Sequence, residues 1–153
     1  MELKVKVNFS FSKLAKQMPK IIKEYKAEYA KGTESGSKAN IDRGLNPKLE
    51  DSTKDIRKAR GISGVTPLKA SGNLYKSIKS NRSELKFLKY GQYHRDGFVP
   101  EKIPTKVKNN KYFFVNNNKN ISVPARDFVG ILDKTRNTIN KDFREKVKRA
   151  LKK

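Results

Sequence analysis

The sequence predicts an α+β fold: a small antiparallel sheet packed against an N-terminal helix and a long C-terminal helix, with a mobile loop between. Three observations carry that expectation. From Asp133 onward the apolar positions Ile139, Phe143, Val147, Ala150 and Leu151 recur by threes and fours, as on one face of a helix. "SELKFLKY" and "KYFFVNN" are short runs of alternating or aromatic residues, as strands are. Between Gly32 and Thr66 long periodicity disappears and Gly, Ser and Pro accumulate.

Each element follows in order. Leu3, Val5, Val7 and Phe9 alternate with Lys4, Lys6 and Asn8, which predicts a half-buried strand over residues 3–9. A turn of helix through Leu14 follows. Pro19 interrupts it and fits as the first residue of a new helix, where its missing N–H costs nothing. That helix buries Ile21, Ile22, Tyr25 and Tyr29 and ends at Gly32. Residues 32–65 read as a flexible loop, with room for a short helix from Leu49 to Arg60. Order resumes near Thr66, so residues 1–31 and 66–153 form the expected core of one domain spanning 1–153. Ser71 is a good N-cap for a two-turn helix with Leu74, Tyr75 and Ile78 on one stripe. "SELKFLKY" predicts a strand, "YGQYHRDGF" a compact turn, and "KYFFVNN" the strongest strand, with an Asn-rich turn behind it. "NISVPAR" supplies a last short strand that ends near Pro124. Asp133 suits the N-cap of the final helix, whose outer face carries Lys134, Arg136, Lys141, Arg144, Lys148 and Arg149.

Composition narrows the function classes. With no cysteine in 153 residues, disulfides, thiolate metal sites and cysteine nucleophiles are excluded. The N-terminus has no apolar run of the kind that makes a signal peptide or membrane span, which leads us to expect a protein that stays soluble in a cytoplasm. The net charge is +22, beyond what solubility requires. It is either a solvated lysine surface or a field that attracts a polyanion. Lysines flank aromatic residues in "KFLKYGQYHR" and "KNNKYFFVNNNKN", as on stacking platforms for single strands, although such aromatics are more often core. No zinc finger, helix-turn-helix or RNA-recognition signature accompanies them. A stand-alone basic domain with nonspecific affinity for nucleic acid is therefore one expectation.

Catalytic motifs are lacking. His94 is the sole histidine, and its neighbours Tyr93, Arg95 and Asp96 offer no metal-ligand spacing. Ser71, Ser77 and Ser80 lack the motif of an activated nucleophile, and "GISGVTPLKAS" lacks the Gly-Lys-Ser/Thr ending of a phosphate loop. No catalytic residue, cofactor or metal is expected, and His94 reads as a ring packed in a turn and bonded to backbone.

Three segments together resemble a known family: "SGNLYKSI" at 71–78, "YGQYHRDG" at 90–97 and "VPARDFVGI" at 123–131. In this order they are similar to the phage virion morphogenesis proteins, also called tail-completion proteins. Gly72, Leu74, Ser77 and Ile78 match the first family segment. Tyr90, His94 and Gly97 match the second, and Pro124, Ala125, Arg126, Phe128 and Gly130 the third. Asp127 stands where a second proline is common, and the tryptophan frequent in the early loop is missing. The resemblance covers about two-thirds of the chain. It implies a structural, non-catalytic virion protein of a phage or prophage, assembled in the host cytoplasm. Such a protein completes the tail or joins tail to head. It implies a ring of copies, hexameric in the family, docking on tail-tube or head-completion proteins. Nonspecific contact with DNA in the lumen is then an expected use of the charge, and no membrane partner is implied.

The third segment also has a physical reading. Pro124 pins the backbone as the strand ends. Ala125 lets another segment approach. Arg126 offers a planar fork for a carboxylate or several carbonyls, across the turn or across a subunit boundary. Phe128 anchors the corner in the core, and Gly130 lets the chain swing into the final helix. The corner is expected to aim that helix at a fixed angle, which every subunit of a closed ring must repeat.

Overall fold

The computed structural model describes residues 11–62, 66–106, 112–116 and 122–152. The strand expected over residues 3–9 and the Asn-rich turn after Asn116 lie outside the described residues. The architecture is mostly helical. Helix α1 (Phe11–Arg43) is followed by α2 (Asp51–Ala59), α3 (Asn73–Ser77), strands β1 (Lys79–Asn81) and β2 (Glu84–Lys86), helix α4 (Tyr90–Asp96), strands β3 (Lys102–Lys106) and β4 (Tyr112–Asn116), and helix α5 (Asp133–Lys152).

The largest departure from expectation is α1, which runs unbroken for 33 residues. Pro19 lies inside it rather than opening a new helix. Ala15 and Pro19 are both exposed, so water can take the carbonyl that Pro19 leaves without a donor. Residues 32–43 are helix, not loop. Two glycines in a helix cost about 1 kcal/mol each relative to alanine, and tertiary contact offsets that cost. Gly32 faces Ile131, Thr135 and Ile139; Gly36 faces the backbone of Gly130 and Ile131. Ser37, fully buried, donates to the Thr33 carbonyl at 2.6 Å and accepts from the Gly130 N–H at 3.2 Å. Asn40 Nδ2 donates to the Phe128 carbonyl at 3.4 Å. Gly44, at φ +82°, ends the helix in the left-handed conformation that glycine adopts without penalty.

Helix α5 lies along α1. Its buried residues Ile139 and Ala150 share the face on which Phe143 meets Tyr25, ring centroids 4.7 Å apart. Tyr25 donates to Asn140 Oδ1 at 3.0 Å, and Lys146 donates to both Glu24 and Glu28 at 3.1 Å. Asp133 is the first helical residue rather than the cap, and its carboxylate pairs with Arg136 one turn on.

The second half of α1 floors the main core. Ile41, Leu45, Leu74, Ile78 and Phe128 are its buried members, and Leu68, Tyr75, Leu85, Phe87 and Val129 pack around them. The expected sheet is divided into two antiparallel pairs, β1–β2 and β3–β4. The first pair lies on α1, in the register Lys79↔Lys86, Ser80↔Leu85, Asn81↔Glu84. The second pairs Lys102 with Asn116 and Lys106 with Tyr112. The strand expected in "NISVPAR" lies partly outside the described residues; within 122–126 it is a single bridge, Phe98↔Val123. "YGQYHRD" is a short helix instead of a turn, because Gly91 lets it settle against Leu74 and Phe87; a Cβ there would lie 2.7 Å and 2.8 Å from those side chains.

Glu34 fastens β1 to α1. Its carboxylate accepts from the Ser80 N–H at 2.6 Å, the Ser80 hydroxyl at 2.8 Å and Lys38 Nζ at 2.7 Å. The Lys38 hydrogen bond, followed by those from Ser80, holds its pKa at about 2 against an ordinary 4.5. Between those values the unfolded chain binds the extra proton, so the stability is present above pH 4.5 and lost as pH falls towards 2. Glu34→Gln is expected to cost about 1–2 kcal/mol at neutral pH, since part of the interaction is screened by solvent. Urea unfolding of both proteins checks this: the gap should narrow as pH drops below 4.5 and close near 2.

Candidate functional site: the Arg126 corner and its cavity

The three segments that carry the family resemblance are far apart in sequence and meet in the fold. Helix α3 places Leu74 and Ile78 in the core. Its cap is Gly72, at φ +73°, rather than Ser71; the Ser71 hydroxyl sits one residue earlier and accepts from the Asn73 N–H at 3.4 Å. Ser77 joins the first segment to the second: its hydroxyl donates to the Leu74 carbonyl at 2.7 Å and accepts from the Leu88 N–H at 3.1 Å. Helix α4 then carries Tyr90 and His94, whose rings meet edge to face with centroids 6.2 Å apart.

Gly97 closes α4 at φ +78°, ψ 159°, a region open essentially to glycine alone. A Cβ there would lie 2.8 Å from the Ala125 nitrogen. Gly97 permits this close approach to the Ala125 backbone, and Ala125 itself is exposed. The chain next to Gly97 pairs with the third segment: Phe98 and Val123 exchange backbone hydrogen bonds of 3.0 and 2.7 Å, and the Arg126 N–H donates to the His94 carbonyl at 2.9 Å. Pro124 is exposed at the turn, and Phe128 is fully buried. Gly130 does more than free the turn. Its carbonyl lies where a Cβ on Gly36 would be, 2.3 Å from it, so the corner and α1 touch backbone to backbone.

Arg126 is 6% exposed. Its Nε donates to the Pro47 carbonyl at 2.9 Å, and its terminal nitrogens reach the Lys48 and Pro124 carbonyls at 3.5 Å. The fork thus ties the corner to the segment between α1 and α2 of its own chain, by carbonyls and with no carboxylate among those acceptors. Burial, then the neighbouring Arg57, pushes its pKa down; Glu50 partly opposes this. His94 is half-buried. Its pKa is lowered from 6.5, first by burial and then by Arg126, which leaves the ring neutral at pH 7. Its Nδ1 is sealed from water without a hydrogen-bond partner, so the backbone bond expected of this ring is made by its own carbonyl and not by Nδ1.

These residues border a cavity of about 490 Å³ between α2, the 67–71 segment and the corner. Leu49, Ile56, Leu68, Leu74, Tyr90 and Val123 supply apolar wall. Arg57, Arg126, His94 and Glu50 are also among its lining residues. Among the described residues no group of three or more histidine or acidic side chains could hold a metal ion, and no helix is long and apolar enough to cross a membrane. The sequence reading did not include Arg57 or the Pro47 and Lys48 carbonyls, since nothing local connects α2 to residues 66–126.

No family model, curated protein or solved structure matches this chain.

Proposed function

We propose that this chain is a structural virion protein of a phage or prophage, a ring component that completes the tail or joins it to the head. One observation supports the reading above others. The residues that carry the resemblance to the tail-completion family, dispersed between Gly72 and Gly130, interlock as a single unit ahead of α5. Leu74, Ile78 and Phe128 fill its core, Gly72 and Gly97 take backbone conformations that favour glycine, and Arg126 Nε donates to the Pro47 carbonyl. A corner braced in this way presents α5 at one angle, and a heterologous ring depends on every copy repeating one angle. Copies of the chain, and tail-tube or head-completion proteins, are the proposed partners.

A specific observation also favours the alternative, a basic nucleic-acid-binding domain. Lys134, Lys141, Lys148 and Lys152 fall on the exposed face of α5, with Arg144 beside them, opposite buried Ile139 and Ala150. Such a stripe would follow phosphates without reading sequence. Light scattering across a wide concentration range, paired with DNA titrations at several salt concentrations, separates the two. A closed oligomer of defined size is the expected result, with weak, salt-sensitive DNA affinity. A strict monomer that binds DNA tightly would replace the first reading with the second.

A further inference from the structure

The cavity at the corner has a composition that the assembly reading does not use. Its wall is apolar, its volume of about 490 Å³ is that of a small-molecule site, and two guanidinium groups border it. Buried charges are ordinarily paired with an opposite charge. Arg126 is buried, yet its hydrogen-bond acceptors are carbonyls, two of them at the 3.5 Å limit of such a bond. Glu50, the single acid among the described residues of the wall, is exposed, and His94 adds no charge at neutral pH. The cavity is therefore apolar along most of its wall and bordered by two positive side chains.

We infer that this cavity binds an apolar group that ends in a carboxylate, the apolar body lying against Leu49, Ile56 and Leu74 and the carboxylate held between Arg57 and Arg126. The planar fork of arginine suits a carboxylate, and a charge-assisted bond gains strength where water is excluded. The carboxylate can belong to a free amphiphilic acid or to the last residue of another polypeptide. The shared chemistry is one apolar moiety with an anionic terminus. This inference does not rest on the ring reading and survives its failure.

The sole histidine of the 153-residue chain makes the test direct, because the chain gives one set of imidazole resonances. Octanoate, octan-1-ol and a peptide ending in phenylalanine, with its C-terminus either free or amidated, are titrated at constant ionic strength while the His94 ring signals are followed. Octanoate should shift them saturably and bind about tenfold more tightly than octan-1-ol. Arg57→Gln should weaken octanoate about tenfold and leave octan-1-ol unchanged. Thr53→Trp, which fills the cavity from α2, should abolish binding of both in a protein whose circular dichroism is unaltered. Tighter binding of the free-acid peptide than of octanoate, lost on amidation, assigns the site to a chain terminus; the reverse order assigns it to a free acid. The inference is overturned if no probe shifts His94, if octan-1-ol binds as well as octanoate, or if octanoate binds the Thr53→Trp protein unchanged, since its uptake would then reflect the general positive charge.

Discussion

Phe128→Ala is expected to destabilise the protein by about 3–5 kcal/mol, the range for a large aromatic side chain deleted from a closed core. Phe128 has no exposed surface and meets Phe87 edge to face, with centroids 5.4 Å apart and planes at 72°. It contacts the cluster that contains Ile41 from α1, Leu45 just beyond it, and Leu74 and Ile78 from the α3 segment. The site cannot collapse cheaply, because its walls come from separate parts of the chain whose backbones are tied by hydrogen bonds. With domain stabilities of about 5–15 kcal/mol, such a loss leaves a fragile protein. Urea unfolding followed by circular dichroism checks the number. Val99→Ala, at a residue 57% exposed, should change stability by less than about 0.5 kcal/mol. Hydrogen exchange adds a spatial prediction: in a Phe128→Leu protein, which keeps more of the fold, the backbone of 129–136 should lose protection first.

Much of this was legible in the sequence, and the rest was hidden for identifiable reasons. Helix α5, helix α2 within the expected loop, and the aromatic strand at 112–116 carry their own periodicity or composition, and they form where the pattern places them. Phe128 was readable as an anchor because it is the one aromatic residue in the corner and directly follows the charged pair Arg126-Asp127. Residues 32–43 were misread because glycine and serine signal a loop locally, whereas here Gly32, Gly36 and Asn40 recur at a spacing of four and form the contact stripe of a helix. That spacing was the available signal. The reach of Arg126 to Pro47, 79 positions earlier, has no local signature at all. Neither does the cavity, whose walls belong to α2, the segment before α3, helix α4 and the corner. A motif can announce that an arginine matters, while its partners emerge only once the chain has closed on itself.

Gly36→Ala is expected to cost about 2–4 kcal/mol, even though two effects oppose each other at this position. Alanine is the better helix former, and the substitution gains about 1 kcal/mol from helix propensity alone. In an isolated α1 that gain would be realised. In the folded protein the added Cβ would lie 2.3 Å from the Gly130 carbonyl oxygen and 2.9 Å from Ile131 Cα. Both are backbone atoms, so no rotamer change relieves the overlap. Either α1 or the corner must move, and each is restrained: Ser37 holds the Gly130 N–H, Asn40 the Phe128 carbonyl, and α5 follows directly from Ile131 and Leu132 along α1. The steric term therefore exceeds the propensity term. Ser35→Ala, one residue away on the exposed side of α1, supplies the control and should lie within about 0.5 kcal/mol of the parent. Thermal unfolding of the three proteins decides the sign. If Gly36→Ala proves as stable as Ser35→Ala, then α1 does not touch the corner at the backbone distance described, and the bracing of α5 by that contact is withdrawn with it.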